Sequence, residues 1–198
     1  MTPSHVLLRG ALPLALAASL AGCISLGGKV PESLLELTPT AQLAPGTAIN
    51  GDMANAIAVV EPEASAALDV NRVPVQVDDT NIAYLKDAVW VEKPAKLFRR
   101  LLGETIRAKG NRLVISTDDP ALTPKTQLRG TLRQFGYDAR SSTVVVSYDA
   151  IRDVNGQTVQ TKRFESRVAG VAPQAGPVGA ALNQAANEVA GQVADWIG

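Results

Sequence analysis

The chain of 198 residues carries 19 Lys and Arg side chains and 19 Asp and Glu side chains, so its formal net charge is zero. This balance lacks the clustered excess of basic residues that nucleic-acid binding usually shows, and we expect no nucleic-acid partner. The length suits one domain plus a tether, because a domain typically takes about 100–200 residues.

Residues 1–22 have the layout of a secretory signal peptide. Arg9 precedes an apolar run at 11–21 that ends in small residues. A helix that spans a bilayer needs about 20 apolar residues, whereas this run is shorter and contains Pro13. We therefore predict that residues 1–22 are cleaved rather than kept as a membrane span.

The segment Leu20-Ala21-Gly22-Cys23 resembles the lipobox of bacterial lipoproteins, in which the cysteine receives a diacylglyceryl group and its new amine is acylated, for example with palmitate. Cys23 is the only cysteine of the chain. Stable anchoring takes at least two acyl chains, so a triacylated Cys23 would stay on its membrane. In enterobacterial lipoproteins an aspartate after the cysteine favours the inner membrane. Ile24 stands there in this chain, which implies the outer membrane.

Two alternatives remain for Cys23: a chance cysteine beside an ordinary signal peptide, or a free cysteine buried like a small hydrophobic residue. Cleavage before Cys23 would also remove His5, the only histidine. A chain without histidine lacks the side chains for Ser-His-Asp or Cys-His catalysis and for the usual zinc sites. We therefore predict a protein that is not an enzyme and holds no metal or cofactor.

Residues 23–54 are predicted to be the lipidated N-terminus and a tether, because proline and glycine recur there between short apolar runs. A short strand at 34–39, added to the edge of a sheet, would shorten the free tether to 24–33. The folded domain is predicted to span residues 55–198.

The first half of that domain contains several short strand patterns, at 56–60, 73–77, 82–85 and 88–91. Pro74 argues for an edge position of the second strand, because proline cannot donate to a ladder. Trp90 is the largest apolar side chain of this half. It is a candidate for partner contact, although core packing is its more usual role.

A helix is predicted at 94–109, since Pro94 suits the first helical position and Gly110 supplies a stop. Its apolar residues fall at helical spacing, while Arg99 and Arg100 lie on other faces. Such a basic face could meet acidic lipid head groups or an acidic partner, but a solvated surface is the commoner use of these charges.

After a short strand at 113–116, the pattern changes to long alternating strands at 127–137, 143–152 and 158–168. Asn155-Gly156 predicts a tight hairpin between the last two, because both residues tolerate positive φ. Arg163, Glu165 and Arg167 share one face of the last strand. We expect a three-stranded antiparallel meander that is covered on one side only.

The cover is predicted to be a helix at 177–197, where apolar residues form one stripe and the polar residues, Asn187 among them, lie mostly off it. A membrane-binding helix usually has Lys and Arg on its polar face, and this segment has none. The expected fold is therefore α/β of the α+β type, with a mostly antiparallel sheet packed against two main helices.

Two adjacent carboxylate pairs, Asp78-Asp79 and Asp118-Asp119, are the remaining catalytic candidates for a carboxylate-dependent hydrolase. Turn-forming residues flank both pairs, including Thr80-Asn81 and Pro120. Solvated turns are therefore the better explanation.

Short motifs then carry a family resemblance, in this order: Leu37-Thr38-Pro39, residues 67–72, residues 82–90 leading into 97–102, residues 132–135, Asn155-Gly156, Arg163-Phe164 and the Ala-rich last helix with Trp196. Over nearly all of its mature length the chain resembles the ABC-type transport auxiliary lipoproteins. Two positions depart from the pattern: Val70-Asn71 stands where Thr-Asp is frequent, and Leu35 where an aromatic residue is common. Neither departure removes a catalytic group, because the family has none.

The resemblance implies an outer-membrane lipoprotein on the periplasmic face that works with an ABC ATPase, its permease and an MCE-domain substrate-binding protein in lipid transport. Homo-oligomers are compatible with this role. The alternative is a periplasmic lipid-binding lipoprotein that acts without an ABC transporter, its sheet and final helix enclosing an acyl pocket.

Overall fold

The computed structural model describes residues 33–110, 112–116, 122 and 124–198. In this part of the chain one sheet of eight strands carries two helices on one face. The strands are β1 Ile57–Val59, β2 Glu63–Ala64, β3 Arg72–Gln76, β4 Ile82–Val89, β5 Val114–Ser116, β6 Thr126–Asp138, β7 Thr143–Val154 and β8 Thr158–Val168; the helices are α1 Pro94–Gly110 and α2 Ala175–Ile197. Neither described helix combines the length and the apolar character needed to cross a bilayer.

The long strand β6 lies at the centre of the sheet. One of its edges pairs with β7, which pairs in turn with β8, and both ladders are antiparallel. Its other edge takes β1, β2 and β3 one after another, all parallel to it, with β5 outside β1 and β4 outside β3. The α+β class and its meander are confirmed. The parallel pairing had no signal in the sequence.

The predicted hairpin between β7 and β8 is confirmed. Asn155 and Gly156 have φ of 55° and 66°, which are the positive values that a tight type I′ turn requires. The ladder runs from Val144 opposite Val168 to Val154 opposite Thr158 without a register shift. Phe164 is buried on the helix side of β8, whereas Arg163, Glu165 and Arg167 on its other side are exposed.

The edge position predicted from Pro74 is wrong, because β3 lies between β4 and β6. The proline is tolerated there for two reasons. The β3–β4 register shifts between Arg72 and Pro74, beside Asp87 with φ of 59°, and bulges are places where proline is accepted in sheets. Gly136 on β6 also makes room, since a Cβ atom there would lie 2.4 Å from the Pro74 carbonyl oxygen.

Both predicted helices are confirmed, and they bury their apolar faces on the sheet. Trp90 and Phe98 have no exposed surface, and their rings contact Phe135 at centroid distances of 5.5 and 6.4 Å. Tyr148 on β7 meets Phe98 edge-on at 5.3 Å. The two helices run side by side, and Lys109 near the end of α1 pairs with Asp195 near the end of α2 at 2.6 Å. We call α1 and α2 together the helix layer.

Candidate docking surface

The predicted lipidation site, Cys23, lies outside the described residues, as do Asp118 and Asp119. Lipidation of Cys23 therefore stays a prediction. The other sequence candidates, Asp78-Asp79, Trp90 and Arg99-Arg100, lie in the described domain at three separate places.

Residues 35–43, which we call the N-terminal strap, are fixed to the domain. Its first residue makes a single parallel bridge beside Trp90: the Leu35 N–H donates to the Val89 carbonyl at 2.7 Å, and the Val91 N–H donates to the Leu35 carbonyl at 3.0 Å. The short strand considered for 34–39 is thus reduced to one bridge at the sheet edge. Beyond it the strap runs across the helix layer.

Side chains of both helices hold the strap there. Asn187 on α2 accepts hydrogen bonds from the Thr40 N–H at 2.7 Å and the Thr40 hydroxyl at 3.1 Å, and it donates to the Thr38 carbonyl at 2.9 Å. Asn183, one turn earlier, accepts from the Thr38 N–H at 2.8 Å. On α1, Glu104 accepts from the Leu43 N–H at 3.1 Å. These contacts supply the backbone partners that an extended segment without a neighbouring strand otherwise lacks.

Asn187 lies off the apolar stripe of α2, as predicted, yet it is only 9% exposed. The strap covers it. Leu37 is buried in the same region, and Leu35 packs so closely on Gly179 that a Cβ atom there would lie 2.6 Å from its Cδ2. A buried amide is stable only when hydrogen-bonded, and the strap supplies the bonds.

The Asp78 carboxylate caps a turn between β3 and β4. Its oxygens accept hydrogen bonds from the Thr80 and Asn81 N–H groups, both at 2.9 Å, and from the Asn81 amide. These bonds, that of the Thr80 backbone first, lower the pKa of Asp78 to about 2. Asp79 pairs with Arg140 at 2.5 Å. Because both carboxylates already have partners at the surface, the turn interpretation fits this pair better than catalysis does.

Trp90 is a core residue, because its ring is fully buried. It therefore offers no surface to a partner. Arg100 is exposed and pairs with Glu92, which also pairs with Lys96 at 2.6 Å. The Lys96 hydrogen bond is the main cause that lowers the pKa of Glu92. This ion-pair group is solvated, as the commoner interpretation of the helix charges predicted.

The face of the sheet opposite the helix layer carries arginine and carboxylate side chains in register. We call it the open sheet face and define it by five arginines and their partners. The pairs are Arg129–Asp153 at 3.0 Å, Arg133–Asp149 at 3.5 Å, Arg163–Asp149 at 2.5 Å, Arg167–Glu165 at 2.7 Å and Arg140–Asp138 at 3.4 Å.

A shallow depression of about 500 Å³ lies on this face. Its lining includes Gln76, Arg133, Gln134, Arg140 and Arg167. Its polar groups are mostly the outer ends of the ion pairs just described, with apolar atoms of the strands at the floor.

Asp149 is the charged centre of this face. The Arg163 side chain donates to both of its oxygens, at 2.5 and 2.8 Å, and this contact is the main cause that lowers the pKa of Asp149. Two parallel N–H···O bonds fix the guanidinium plane as well as its distance. The surface is therefore ordered and charged while its net charge is close to balanced, which suits contact with a protein surface of mixed charge more than contact with a polyanion.

These features define a class: a two-layer α+β domain with an N-terminal strap bound across its helices and a charged, open sheet face. More particularly, the chain belongs to the family of ABC-type transport auxiliary lipoprotein components, whose family model matches residues 35–194. The matched region begins at the first residue of the strap. The strap thus belongs to the family domain rather than to the linker before it.

Solved structures show the same fold. Protein XCC0632 from Xanthomonas campestris, described as a DUF330 protein, is 16% identical, with a TM-score of 0.67 over 83% of this chain and 94% of that one. A second structure, of an uncharacterized protein, is 15% identical, with a TM-score of 0.63 over 84% of this chain and all of the other. Among curated protein sequences, none matches this chain significantly.

Proposed function

We propose that this chain is a non-enzymatic periplasmic lipoprotein subunit of an MCE-type ABC transport system. It is anchored in the outer membrane through acyl chains on Cys23, and it docks the periplasmic component of the transporter for lipid transport across the envelope. The family supports the link to an ABC transporter. The lipobox around Cys23 supports the anchor, and Ile24 after it supports the outer membrane.

The observation that carries the proposal is the attachment of the strap to both helices. It fixes the point where the chain departs toward Cys23, because Leu35 is bound at the sheet edge. The residues between Cys23 and Leu35 reach at most about 40 Å even when fully extended. The domain is therefore held close to its membrane. The chain that leads to Cys23 departs from a defined side of the domain.

The open sheet face is the docking surface in this proposal, and its occupant is the MCE-domain substrate-binding protein. The helix layer and the strap cover the other face, so the open face is the broad surface of the sheet that a partner can reach. Arginine is enriched in protein interfaces, and five of them stand here in ordered ion pairs. The partner surface that fits is polar and of mixed charge, with a projecting segment that enters the 500 Å³ depression.

Site-specific photocrosslinking in cells tests this arrangement. A photoreactive amino acid at Gln134, an exposed residue in the depression, is expected to capture the MCE-type protein. The matched control is Gln184, an exposed residue on α2 in the helix layer, where no capture is expected. Mass spectrometry identifies the products. Capture of no MCE-type or permease subunit from either position would contradict the function, and capture from Gln184 alone would contradict the face.

The alternative, a lipid-binding module without a transporter, has less support from the described domain. An acyl pocket between sheet and helices would need space that fully buried side chains occupy, among them Trp90, Phe98, Leu102, Leu132 and Tyr148. Delipidated full-length protein that takes up phospholipid from vesicles would favour this alternative, whereas no uptake is expected for a docking subunit.

A further inference from the structure

Strand β8 forms an outer edge of the sheet, since among the described residues its only ladder is with β7. The strand is long and has no bulge, and its outer backbone groups are available to a further strand. It contains no proline, which is one of the usual devices that prevent edge pairing. The edge can therefore accept an extended chain along most of its length.

The charge pattern of β8 is complementary to itself. When a second copy continues the sheet about a two-fold axis, the helix layers of both copies lie on the same side of the shared sheet. Residues directly opposite each other across the two β8 strands therefore point to the same face of that sheet. When Phe164 faces Phe164 of the second copy, Arg163 faces Glu165 and Glu165 faces Arg163 on the open side. Opposite charges directly across an antiparallel pair are stabilising, and like charges are destabilising.

Neighbouring registers lose this match. If the pairing is centred on residue 163, Arg163 of one copy lies opposite Arg163 of the other. If it is centred on residue 165, Glu165 lies opposite Glu165 of the other copy and Arg163 lies opposite Arg167. The register centred on Phe164 avoids like-charge pairs and overlaps residues 160–168 of both copies. Register is set most strongly where such a shift is penalised.

The helix side of β8 supplies a second complementary pair. In the same register Lys162 faces Ser166 of the second copy. The Ser166 hydroxyl donates to the Glu188 carboxylate of α2 at 2.9 Å, so Lys162 of one copy arrives beside Glu188 of the other. A lysine that points inward at an edge usually discourages pairing. Here it selects a partner that presents a carboxylate at that place.

We propose that β8 is a homodimer interface, in which two copies pair antiparallel and share one continuous sheet centred on Phe164. The occupant of the edge is a second copy of this chain, recognised by Arg163–Glu165 and Lys162–Glu188 contacts, each made twice. Anchoring of both copies on one membrane would raise their effective concentration and favour this pairing. Arg163 and Glu165 belong to both the open sheet face and this interface, whereas Arg129 and Arg133 of the docking surface lie on β6, two strands away from the β8 edge.

Cysteine crosslinking of the full-length chain tests the register. In the double variant Thr161→Cys/Arg167→Cys, residue 161 of one copy lies opposite residue 167 of the other, and mild oxidation is expected to give a disulfide-linked dimer. Each single variant is the control, because two copies of the same residue would lie about 20 Å apart along the strands. The unmodified chain controls for Cys23. Equal crosslinking of single and double variants, or none in the double variant, would overturn the register.

Charge exchange tests the recognition. Arg163→Glu turns two attractive cross-strand pairs into repulsive ones, and the dimer dissociation constant is expected to rise about tenfold or more. The double variant Arg163→Glu/Glu165→Arg restores opposite charges and is expected to restore the dimer. Both variants lose the Arg163–Asp149 contact. Rescue of the dimer by the double variant would therefore show that the single variant weakens the pairing of the two copies and does not act through folding of the domain. An unchanged dissociation constant in the single variant, or no rescue in the double, would overturn the proposal.

Discussion

Replacement of Asn187 by alanine should release the strap from the helix layer. The amide makes four hydrogen bonds at 2.7 to 3.1 Å, two accepted from Thr40, one donated to the Thr38 carbonyl and one donated to the Asn183 carbonyl of its own helix. Three of the four reach the strap, across more than 140 residues of sequence. No other side chain of α2 is bonded to the strap at so many points among the described residues.

The magnitude follows from these bonds. A hydrogen bond contributes a net of about 0.5–1.5 kcal/mol, so the three bonds to the strap give roughly 1.5–4.5 kcal/mol. Water recovers part of this, because the strap partners Thr38 and Thr40 are exposed, and alanine gains about 0.6 kcal/mol of helix propensity over asparagine. We expect the free energy of unfolding to fall by about 2 kcal/mol. For a domain of this size the Tm should fall by about 4–8 °C.

Two measurements check the prediction. Urea unfolding gives the change in free energy, and amide hydrogen exchange should show loss of protection at Thr40 while amides of β6 and β7 keep theirs. The matched control is Gln184→Ala, an exposed position on the same helix. If Asn187→Ala and Gln184→Ala agree within about 0.5 kcal/mol, the range of ordinary surface substitutions, and the Thr40 amide stays protected, the reasoning about the strap is refuted.

Three further predictions concern a close contact, a turn and the anchor. Gly136→Ala should lower the free energy of unfolding by about 3 kcal/mol, because its Cβ would lie 2.4 Å from the Pro74 carbonyl oxygen; Gly176→Ala, with open space around it, should change urea unfolding little. Asp78 has a folded pKa of about 2, below its ordinary value of 3.8, so its stabilising contribution is present above about pH 4 and is lost as the pH falls toward 2. The stability difference between wild type and Asp78→Asn should therefore shrink over that window, and a difference independent of pH would contradict the turn. Cys23→Ala should move a folded protein from the membrane to the soluble fraction, and its retention on membranes would show that the anchor was misassigned.

The elements that local patterns specify were predictable from the sequence. Strands β6, β7 and β8 alternate over ten or more residues with Asn155-Gly156 between the last two, and α2 repeats its apolar residues at helical spacing. In each case the signal lies within one segment. The solvated role of Asp78 was predictable for the same reason, because its partners follow it at once in the chain.

Features that depend on distant segments were not predictable. Pro74 favours a strand edge by every local rule, and its interior position depends on the register shift against β4 and on Gly136, far along the chain. Asn187 looks like a surface residue until the strap covers it. The parallel pairing of β1, β2 and β3 along β6 is likewise a property of the assembled sheet. One weak signal existed, since Gly179 beside the apolar stripe of α2 indicates a close neighbour, which is Leu35 of the strap, but the sequence does not say which residue it is.

The position of the strap also keeps the two parts of the proposed function apart, namely anchoring through Cys23 and docking of the partner on the open sheet face. It crosses the helix layer, whereas the arginines proposed for docking stand on the opposite face of the sheet. A partner bound to the open face would therefore not compete with the chain that leads to the anchor. Release of the strap would lengthen the connection to Cys23 by the residues it holds, while the open face keeps its ion pairs. If docking close to the membrane matters, Asn187→Ala should impair transport without preventing crosslinking from Gln134, and a parallel loss of both would show that the strap supports the docking face itself.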